Sequence, residues 1–501
     1  MKKFLLGLLA LIILVVGIVL VRTVSMGKQV QNDVPLAALI DVDPAVAAAN
    51  LSTAIRFKTV TMQNTEDTDW PIFLEFQAWL KTAYPNFYGA VKSEQVVEYA
   101  QMNVWQGSDA TLAPIVFLAH QDVVPAKAED DADNPYPGWD YPPFDGTIAD
   151  GFVYGRGAID DKGSLIAILE GADRLAATGY KPKRTLIFAF GHDEEVSGTG
   201  ADSISKLLET RGIKPYAVID EGGAILTGMS GIPGQVASIG VAEKGYLTLK
   251  LTANARGGHS STPPNYTAIG ALSKAITKLE ANPFENGRDV VMTKMLEATA
   301  PRMPFVQRMA ISNLWLFGPV VESKLRKVDI TRAMMGTSIA PTIIDAGFKE
   351  NALPREAVAY VNFRLHSRDS IESVTAHVRR VIDDENIDIA MNDNIGSEPS
   401  PVSQIDSGPY LWIKDVVNAT FPEALVAPNT VVGGTDSRYF ARNTDDIYRF
   451  APYVFDASDI ARIHGLNERM NVEAFGKAVQ VYYLMVEKAG EELGRMYVTH
   501  H

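Results

Sequence analysis

The stretch GRGAIDDKGS (Gly155–Ser164) sets two aspartates side by side in a frame of glycines and cations. Adjacent carboxylates repel each other, and glycines give up helix and strand stability. Residues 163–179, which follow, carry apolar side chains at helical spacing, namely Leu165, Ile168, Leu169, Ala172 and Leu175. The stretch therefore predicts a glycine-rich loop that leads into a helix and holds two carboxylates together.

Short apolar segments on both sides of this loop end in polar residues, as buried strands do. They are PIVFLAH (114–120), RTLIFAFGHDEE (184–195) and PYAVIDEGG (215–223), and a second helix is predicted at 201–212. Strands that alternate with helices predict an α/β fold with a mostly parallel central sheet. Ligands of such sheets bind at the carboxyl ends of the strands, where the polar residues of these segments lie.

The pattern changes near Glu243, where GYLTLKLTANA alternates like a strand with one solvated face. Helices and strands then follow one another as far as IDIAMND (387–393), and the α/β pattern returns near Pro409 and ends in a helix at 472–492. This order predicts a smaller α+β lid domain inserted into a catalytic domain. The predicted divisions are 1–24 (anchor), 25–44 (linker), 45–242 (catalytic domain, first part), 243–394 (lid domain) and 395–501 (catalytic domain, second part).

Composition limits the kinds of partner and site. The chain has 501 residues, a net charge of −14 and no cysteine. A strong negative charge argues against a nucleic-acid surface, which needs an excess of Lys and Arg. Without cysteine there are no disulfides, thiolate metal sites or cysteine nucleophiles, so a metal here must use His and carboxylate ligands.

The N-terminus carries a targeting signal. Lys2 and Lys3 precede an uncharged apolar run, Phe4–Val21, whose length lies between that of a signal-peptide core and a full membrane span. No A-x-A cleavage site follows directly, so we expect an uncleaved signal anchor with most of the chain outside the cytoplasm, in a periplasmic, extracellular or lumenal space. The alternative is a cleaved signal peptide and a secreted protein.

Each apolar strand ends in a candidate metal ligand or acid/base group. Taken singly, these groups have ordinary explanations: paired glutamates often begin a helix, and an Asp before Gly-Gly often forms a turn. Taken together, they form an oxygen-rich set with a few imidazoles, which suits two zinc ions that share a carboxylate. The groups, in chain order, are His120, Asp122, Asp160, Asp161, Glu194, Glu195, Asp220 and His464.

These motifs resemble, in order, those of the di-zinc metallopeptidase and aminoacylase family, peptidase family M20. The resemblance covers roughly residues 45–487. Two further segments, ISNLWLFGP and FKENALPREAVAYVNFRLHSRDS, look most like the branch of carboxypeptidase S and the secreted N-acyl-amino-acid hydrolases. The motifs that carry the resemblance are FLAHQDVVP, GRGAIDDKGS, GHDEEVSGTG, VIDEGG, GGHSSTPP, GFKENALP, GGTDSR and RIHGLNERM.

The resemblance implies a metal site made by residues from both parts of the catalytic domain. One zinc ion would be held by His120 and Asp220, the other by Glu195 and His464, and Asp160 would bridge both. Other divalent ions are alternatives to zinc. The resemblance also implies a cis peptide bond after Asp160.

It further implies roles in catalysis and substrate binding. Glu194 would be the general base, Asp122 would orient the imidazole of His120, and His259 would stabilise the tetrahedral oxyanion. Whether His259 acts in its own subunit or in the partner of a homodimer formed through the lid domain stays open. The free carboxylate and backbone of the substrate would be held by Asn351, Arg364, Gly434, Thr435 and Asp436.

The function that these roles predict is cleavage of an amide bond to release an amino acid with a free carboxylate. The substrate would be a short peptide cleaved at its C-terminus, or an N-acyl amino acid. Apolar residues at 303–317 suggest an apolar acyl or side-chain pocket, although they could instead form the core of the lid domain. The alternative function is that of a non-catalytic, membrane-tethered binding relative, which the retention of Glu194 and of every ligand disfavours.

Overall fold

The computed structural model describes residues 1–27, 34–126, 136–229 and 231–493, so that residues 28–33 of the predicted linker lie outside the described residues. Within these ranges the α-helices are α1 (Lys2–Met26), α2 (Pro44–Arg56), α3 (Pro71–Ala83), α4 (Pro85–Ala90), α5 (Lys162–Ala177), α6 (Thr199–Thr210), α7 (Ala268–Ala281), α8 (Val290–Thr299), α9 (Phe305–Ser312), α10 (Leu314–Leu325), α11 (Asp329–Met334), α12 (Ile371–Ile382), α13 (Gly408–Thr420), α14 (Ala457–Ile460) and α15 (Val472–Ala489).

The strands form two larger sheets and two small ones. In chain order they are β1 (Lys92–Gln95), β2 (Gln101–Trp105), β3 (Ile115–His120), β4 (Ile148–Ala149), β5 (Phe152–Tyr154), β6 (Leu186–Gly191), β7 (Ala217–Asp220), β8 (Ile225–Thr227), β9 (Gln235–Glu243), β10 (Gly245–Asn254), β11 (Gly258–His259), β12 (Ser338–Ala346), β13 (Ala352–Leu353), β14 (Glu356–Leu365), β15 (Ile387–Ser397), β16 (Ala424–Val431), β17 (Ile447–Arg449), β18 (Val454–Phe455) and β19 (Arg469–Asn471).

The ten-stranded sheet has the order β1-β2-β6-β3-β7-β17-β9-β8-β18, with β16 paired to β9. Its centre is parallel, since β3 pairs in parallel with β6 and β7, and β17 with β7. Alternate residues of β3 enter different cores: Phe117 packs with α5 and α15 on one face, and Leu118 packs with α6 on the other. Both faces are therefore covered, which explains why the strand reads as a continuous apolar run and confirms the largely parallel α/β sheet.

A second sheet, of order β12-β14-β10-β15, is antiparallel and has a core of its own. In β14 buried residues alternate with partly exposed ones, and the buried ones pack against α7 and α12. This matches the α+β pattern expected for the middle of the chain. The predicted domain boundaries at 242/243 and 394/395 stay predictions.

Helix α1 is long and apolar enough to cross a membrane, and nearly all of it is exposed. Its buried residues, Val19 and Thr23, pack where α9 meets α10. The segment 303–317, for which the sequence predicts a pocket or a core of the lid domain, is divided. Phe305, Val306, Trp315 and Leu316 are exposed, whereas Ile311 is buried in a core cluster against which Met303 packs.

Candidate metal centre

Three neighbouring parallel strands bring the predicted ligands to one edge of the large sheet. His120 is the last residue of β3, Glu194 and Glu195 follow the end of β6, and Asp220 is the last residue of β7. Because β6, β3 and β7 are adjacent and parallel, their carboxyl ends meet. The site lies where the strand pattern predicts it.

The buried imidazole of His120 lies between carboxylates. Its Nε2 atom is 3.0 Å from Asp160 Oδ1 and 3.3 Å from Glu221 Oε1, and its Nδ1 atom is 3.2 Å from Asp122 Oδ1. Asp161 Oδ2 accepts a hydrogen bond from the backbone N–H of His120 at 3.2 Å. One ring nitrogen therefore faces the cluster while a carboxylate holds the other.

His464 approaches the same carboxylate from the second part of the chain. Its Nε2 atom is 3.1 Å from Asp160 Oδ2 and 3.1 Å from Glu195 Oε2. Asp160 thus has one oxygen beside His120 and the other beside His464. The peptide bond that joins Asp160 to Asp161 is cis.

Glu221, rather than Asp220, has its carboxylate beside His120. Asp220 accepts hydrogen bonds from the backbone N–H groups of Ser437 at 2.8 Å and Glu221 at 2.9 Å. Candidate metal-holding groups form around His120 with Asp161 and Glu221, and around His120 with Asp160 and Glu195. The expected ligand Asp220 is therefore turned toward the backbone, and sequence reasoning missed its neighbour.

A buried glutamate, Glu468, shapes the glycine-rich loop that opened the sequence. Its Oε1 atom accepts hydrogen bonds from the backbone N–H groups of Gly157, Ile159 and Asp160 at 3.1, 2.8 and 3.2 Å. Its Oε2 atom pairs with Arg156 Nη1 at 2.6 Å, and the same guanidinium donates to the backbone oxygen of His464. Glu468 therefore ties the loop of Asp160 to that of His464.

Asp122 links His120 to the loop that carries the two glutamates. Its carboxylate accepts hydrogen bonds from the backbone N–H groups of Glu194 and Glu195, each at 3.1 Å, and from Thr61 Oγ1 at 2.8 Å. Burial acts to raise the pKa of Asp122, but the hydrogen bond and charge of His120, together with the bonds from Thr61 and Glu195, hold it below its usual range. Asp122 is thus a charged support for a histidine and for two carboxylates at once.

Three other acids of the cluster, Glu194, Glu195 and Glu221, lie in surroundings that disfavour their charged form. Burial raises the pKa of Glu194 and Glu221, and it raises that of Glu195 to about 7. Two buried carboxylate oxygens, Glu195 Oε1 and Asp161 Oδ1, have no hydrogen-bond partner among the described residues. Crowded buried carboxylates with unpartnered oxygens, beside two imidazoles, fit a site for divalent cations.

An arginine that sequence reasoning did not assign lies next to Glu194. Arg438 Nη1 is 3.5 Å from Glu194 Oε1 and donates to the backbone oxygen of Thr435. The signal for it was present, since Arg438 is the last residue of the GGTDSR motif. A Cβ atom on Gly434 would lie 2.8 Å from this guanidinium, so the glycine gives the arginine its space.

The turn 434–436 contacts a buried ion pair formed by Glu243 and Arg449. Glu243 Oε2 accepts hydrogen bonds from Thr435 Oγ1 at 2.7 Å and from Arg449 Nε at 2.9 Å. Asp436 is buried, and its pKa is raised by burial. Neither Glu243 nor Arg449 was identified from the sequence, because each looks like an ordinary strand residue.

Arg364, at the end of β14, is partly buried and lies over the ring of Tyr246 at 4.8 Å. Burial lowers its pKa, and the positive charge of Arg438 acts in the same direction. A guanidinium can bind a carboxylate through two parallel hydrogen bonds, so each of these arginines can serve a substrate carboxylate.

His259 and Asn351, on β11 and just before β13, are both exposed. Ser261 N–H donates to His259 Nδ1 at 3.1 Å, so in the neutral ring the proton is on Nε2. Asn351 accepts a hydrogen bond from Ser260 through its backbone oxygen. Their described hydrogen bonds lie within this loop pair, apart from the carboxylate cluster.

A cavity of about 290 Å³ opens beside the cluster. Asp160 and Glu221 lie at its polar end, and most of its wall is apolar. The apolar wall includes Ile159, Leu226, Ile330, Met334, Val431, Val432, Tyr453, Phe455, Ile460 and Ile463.

Comparison with known proteins gives a family match over residues 116–488, to peptidase family M20/M25/M40. The chain is 37% identical over 502 residues to the N-fatty-acyl-amino acid synthase/hydrolase PM20D1 of Xenopus tropicalis, covering 98% of this chain and 94% of that protein. It is 37% identical over 455 residues to the probable carboxypeptidase S-like 2 of Dictyostelium discoideum, covering 89% of this chain and 85% of that protein.

Among solved structures, the fold is similar to that of an M20 family metallo-carboxypeptidase, Sso-CP2, from Sulfolobus solfataricus. The TM-score is 0.64 at 17% sequence identity, over 89% of this chain and 99% of that chain. At this identity the likeness concerns the fold alone.

Proposed function

The chain belongs to peptidase family M20/M25/M40 and is a metallohydrolase that cleaves amide bonds, and we propose that its substrates are N-acyl amino acids with a long apolar acyl chain. The observation that carries this proposal is the apolar cavity that shares Asp160 and Glu221 with the carboxylate cluster. The PM20D1 relative, whose name gives N-fatty-acyl amino acids as its substrates, supports the same substrate class.

The family is one of dinuclear metal-binding peptidases, and the cluster fits two divalent ions. We assign His120 and Glu221 to one ion, Glu195 and His464 to the other, and Asp160 to both, with zinc as the favoured metal. This assignment replaces Asp220 by Glu221 because only the latter carboxylate lies beside His120. Such ions polarise the scissile carbonyl and lower the pKa of water toward neutrality.

Glu194 is the proposed general base. It accepts the proton of the attacking water at its carboxylate and returns that proton to the leaving nitrogen. The burial that raises its pKa makes it able to hold the proton between these two transfers. Asp122 keeps His120 oriented and fixes the backbone of Glu194, so it acts as a positioning residue.

The free carboxylate of the amino acid is assigned to Arg364 and Arg438, with the turn Gly434, Thr435 and Asp436 beside them. The support is the fork of donors that each guanidinium offers to a carboxylate, and the position of Arg438 at 3.5 Å from Glu194. Asn351 and His259 would reach the substrate from the region of the two-stranded sheet of β11 and β13, and the Nε2–H group of His259 would donate a hydrogen bond to the oxyanion.

We also propose a homodimer that forms through the four-stranded sheet. Strand β12 is at the edge of that sheet, and Ile343 and Ile344 on it are exposed. An exposed apolar edge strand is a surface that pairing would cover. Light scattering of the purified protein tests this part of the proposal.

We assign α1 the role of an uncleaved signal anchor with the catalytic part outside the cytoplasm. The support is its apolar length after Lys2 and Lys3, because basic residues favour the cytoplasmic side. A secreted, processed form is the alternative, and the mass of the protein isolated from membranes distinguishes the two.

The deciding experiment measures amino-acid release from N-acyl amino acids of increasing chain length and from dipeptides that vary at the C-terminus, with and without chelator. We expect catalytic efficiency to rise with acyl length and turnover to stop with chelator. If the protein prefers dipeptides, the proposal is wrong and the protein is a carboxypeptidase.

Glu194→Gln tests the base in the same assay. We expect this variant to keep its metal content and to lose turnover by roughly 10²-fold or more. Glu209→Gln, an exposed acid on α6, is the matched control and should behave like the parent. If Glu194→Gln hydrolyses as fast as the parent, another residue is the base.

A further inference from the structure

Helix α1 is joined to the junction of α9 and α10 by a network of hydrogen bonds. Arg22 Nε donates to the backbone oxygen of Ser312 at 2.9 Å, and the hydroxyls of Thr23 and Ser312 lie 3.3 Å apart. Asn313 Nδ2 contacts the backbone oxygen of Val19 and the hydroxyl of Thr23 at 3.3 and 3.4 Å. A buried network of this kind fixes the junction of α9 and α10 against one end of α1.

This contact sets the depth of α9 and α10 relative to a membrane. Val19 lies two residues before the end of the apolar run at Val21, about 3 Å along the helix axis. If α1 spans the bilayer, the junction at Ser312 and Asn313 lies at the boundary between hydrocarbon and headgroups. The surfaces of α9 and α10 are then held at the same boundary.

The surfaces of α9 and α10 expose large apolar side chains of the kinds found at a lipid interface. Val306 is 69% exposed, Val320 58% and Trp315 56%, with Phe305 and Leu316 also exposed. Tryptophan at a boundary, flanked by cations, is typical of interfacial membrane segments. The flanking cations are Arg22, Arg302, Arg308, Lys324, Arg326 and Lys327.

The apolar cavity reaches the same side of the molecule. Ile330 lines the cavity wall and is itself 54% exposed, and Val328, just before α11, is exposed beside it. Met334 and Val432 of the cavity wall belong to a methionine-rich cluster that also contains Met26 of α1. Flexible methionine side chains adapt to apolar ligands of different shape. The wall of the cavity is therefore continuous with the contact of α1.

From these observations we infer that the exposed faces of α9 and α10 lie in the outer surface of the bilayer that α1 spans, and that acyl chains enter the cavity from the lipid past Ile330. The inference rests on the proposed anchor and on the proposed acyl-chain substrate. An acyl chain then passes from hydrocarbon to cavity while its amide and carboxylate reach the cluster from the headgroup region.

Site-directed labelling of the full chain tests the membrane contact without using activity. The chain has no cysteine, so Val306→Cys, Val320→Cys and the control Leu74→Cys each give one labelling site for an environment-sensitive dye. In phosphatidylcholine vesicles, we expect nitroxide lipids to quench the dye at positions 306 and 320. The dye at Leu74, which is 52% exposed on α3, should stay unquenched.

Two results would overturn the contact. One is equal, water-like emission at all three positions. The other is protection at 306 and 320 that rises with protein concentration and is insensitive to nitroxide lipids, since a second copy of the chain would then cover the face.

The entry route is tested with the full chain in vesicles that contain a long-chain N-acyl amino acid, against water-soluble N-acetyl amino acids. For the double variant Trp315→Glu/Val320→Glu, we expect kcat/KM to fall roughly tenfold on the long-chain substrate and to stay unchanged on the N-acetyl substrate. Leu74→Glu should change neither. Equal loss on both substrates, or loss on neither, would overturn the route, whereas a parent inactive on both would contradict the proposed function instead.

Discussion

At the residue scale, two adjacent acids at the end of β7 differ in their surroundings. Asp220 accepts two backbone hydrogen bonds, and Glu221 lies beside His120. Glu221 is the first residue after β7, and its carboxylate faces the cluster while that of Asp220 accepts backbone hydrogen bonds. The sequence DEGG does not show which of the two acids faces the cluster. The distance of 3.3 Å between Glu221 Oε1 and His120 Nε2 identifies Glu221.

The first prediction separates these two acids by metal content. We expect Glu221→Gln to lose one of two bound ions per chain, because it removes a carboxylate from the cluster. Asp220→Asn should keep both ions and weaken their affinity by roughly 10–100-fold, as changes behind a ligand do. Elemental analysis after dialysis against graded zinc buffers measures both. The opposite ranking would restore Asp220 as the ligand.

The second prediction concerns Glu468, whose role was not apparent from the motif RIHGLNERM. Replacing it by Gln removes the charge that pairs with buried Arg156 and that accepts three backbone hydrogen bonds. We expect a loss of about 3–5 kcal/mol in unfolding free energy and weaker metal binding, since the loop of Asp160 loosens.

Denaturant unfolding of the metal-loaded protein, with zinc titrations, measures this loss. The exposed control Glu209→Gln should stay within about 0.5 kcal/mol of the parent. Glu468 would be only a packing residue if stability fell and metal affinity did not.

At the element scale, Lys244 is the single residue between β9 and β10, which belong to different sheets. Its Nζ atom donates to the backbone oxygens of Ala333 and Gly336 at the end of α11, each at 2.7 Å. Burial lowers its pKa to about 7, and the nearby charge of Arg364 acts in the same direction. The lysine thus joins the two sheets to the helix that borders the cavity.

The third prediction follows from the sign of this shift. Between pH 7 and about 10.5 the unfolded chain binds a proton at Lys244 that the folded chain does not, so this residue makes stability rise with pH. Lys244→Met should remove that rise. Thermal midpoints of parent and variant at pH 7.5 and 9.5 test it, with Lys250→Met on β10 as the control. Parallel pH profiles for parent and Lys244→Met would contradict the shift.

The elements themselves were largely readable from the sequence. The apolar runs of β3, β6 and β7 predicted buried strands, and the helical spacing at 163–179 predicted α5. What spacing could not supply was the environment of each element. Helices α9 and α10 carry apolar residues that would suit a core, and the sequence does not show that several of them, such as Val306 and Trp315, are exposed.

The part of the site that could be predicted from the sequence is the set of groups that lie at the ends of strands or on the glycine-rich loop. His120, Asp160, Glu195 and His464 meet as expected, because parallel strands and the glycine-rich loop converge at one edge. The sequence did not indicate Glu243, Arg449 and Glu468, because it does not show whether a charged residue is buried or exposed. Their importance lies in partners that are distant in the sequence.

At the scale of the whole molecule, charge is distributed unevenly. The net charge is −14, and four acids, Asp160, Asp161, Glu195 and Glu221, lie close to His120, while Arg302, Lys324, Arg326 and Lys327 flank α9 and α10 in the sequence. These carboxylates repel one another at the carboxyl edge of the sheet, and bound cations would offset that repulsion. We therefore expect metal binding to stabilise the fold of this chain.

The last prediction uses that coupling. In chelator, buried acids with raised pKa values stabilise the fold while they are protonated, below about pH 4.5, and this stability is lost as pH rises through their folded pKa, about 7 for Glu195. With zinc the same carboxylates bind cations, so the loss should be absent. We expect the difference in thermal midpoint between zinc-loaded and chelated protein to widen from pH 5 to pH 8. Glu195→Gln in chelator should lose less stability than the chelated parent across pH 6–8. A constant difference across this range would show that the cluster carries no such repulsion.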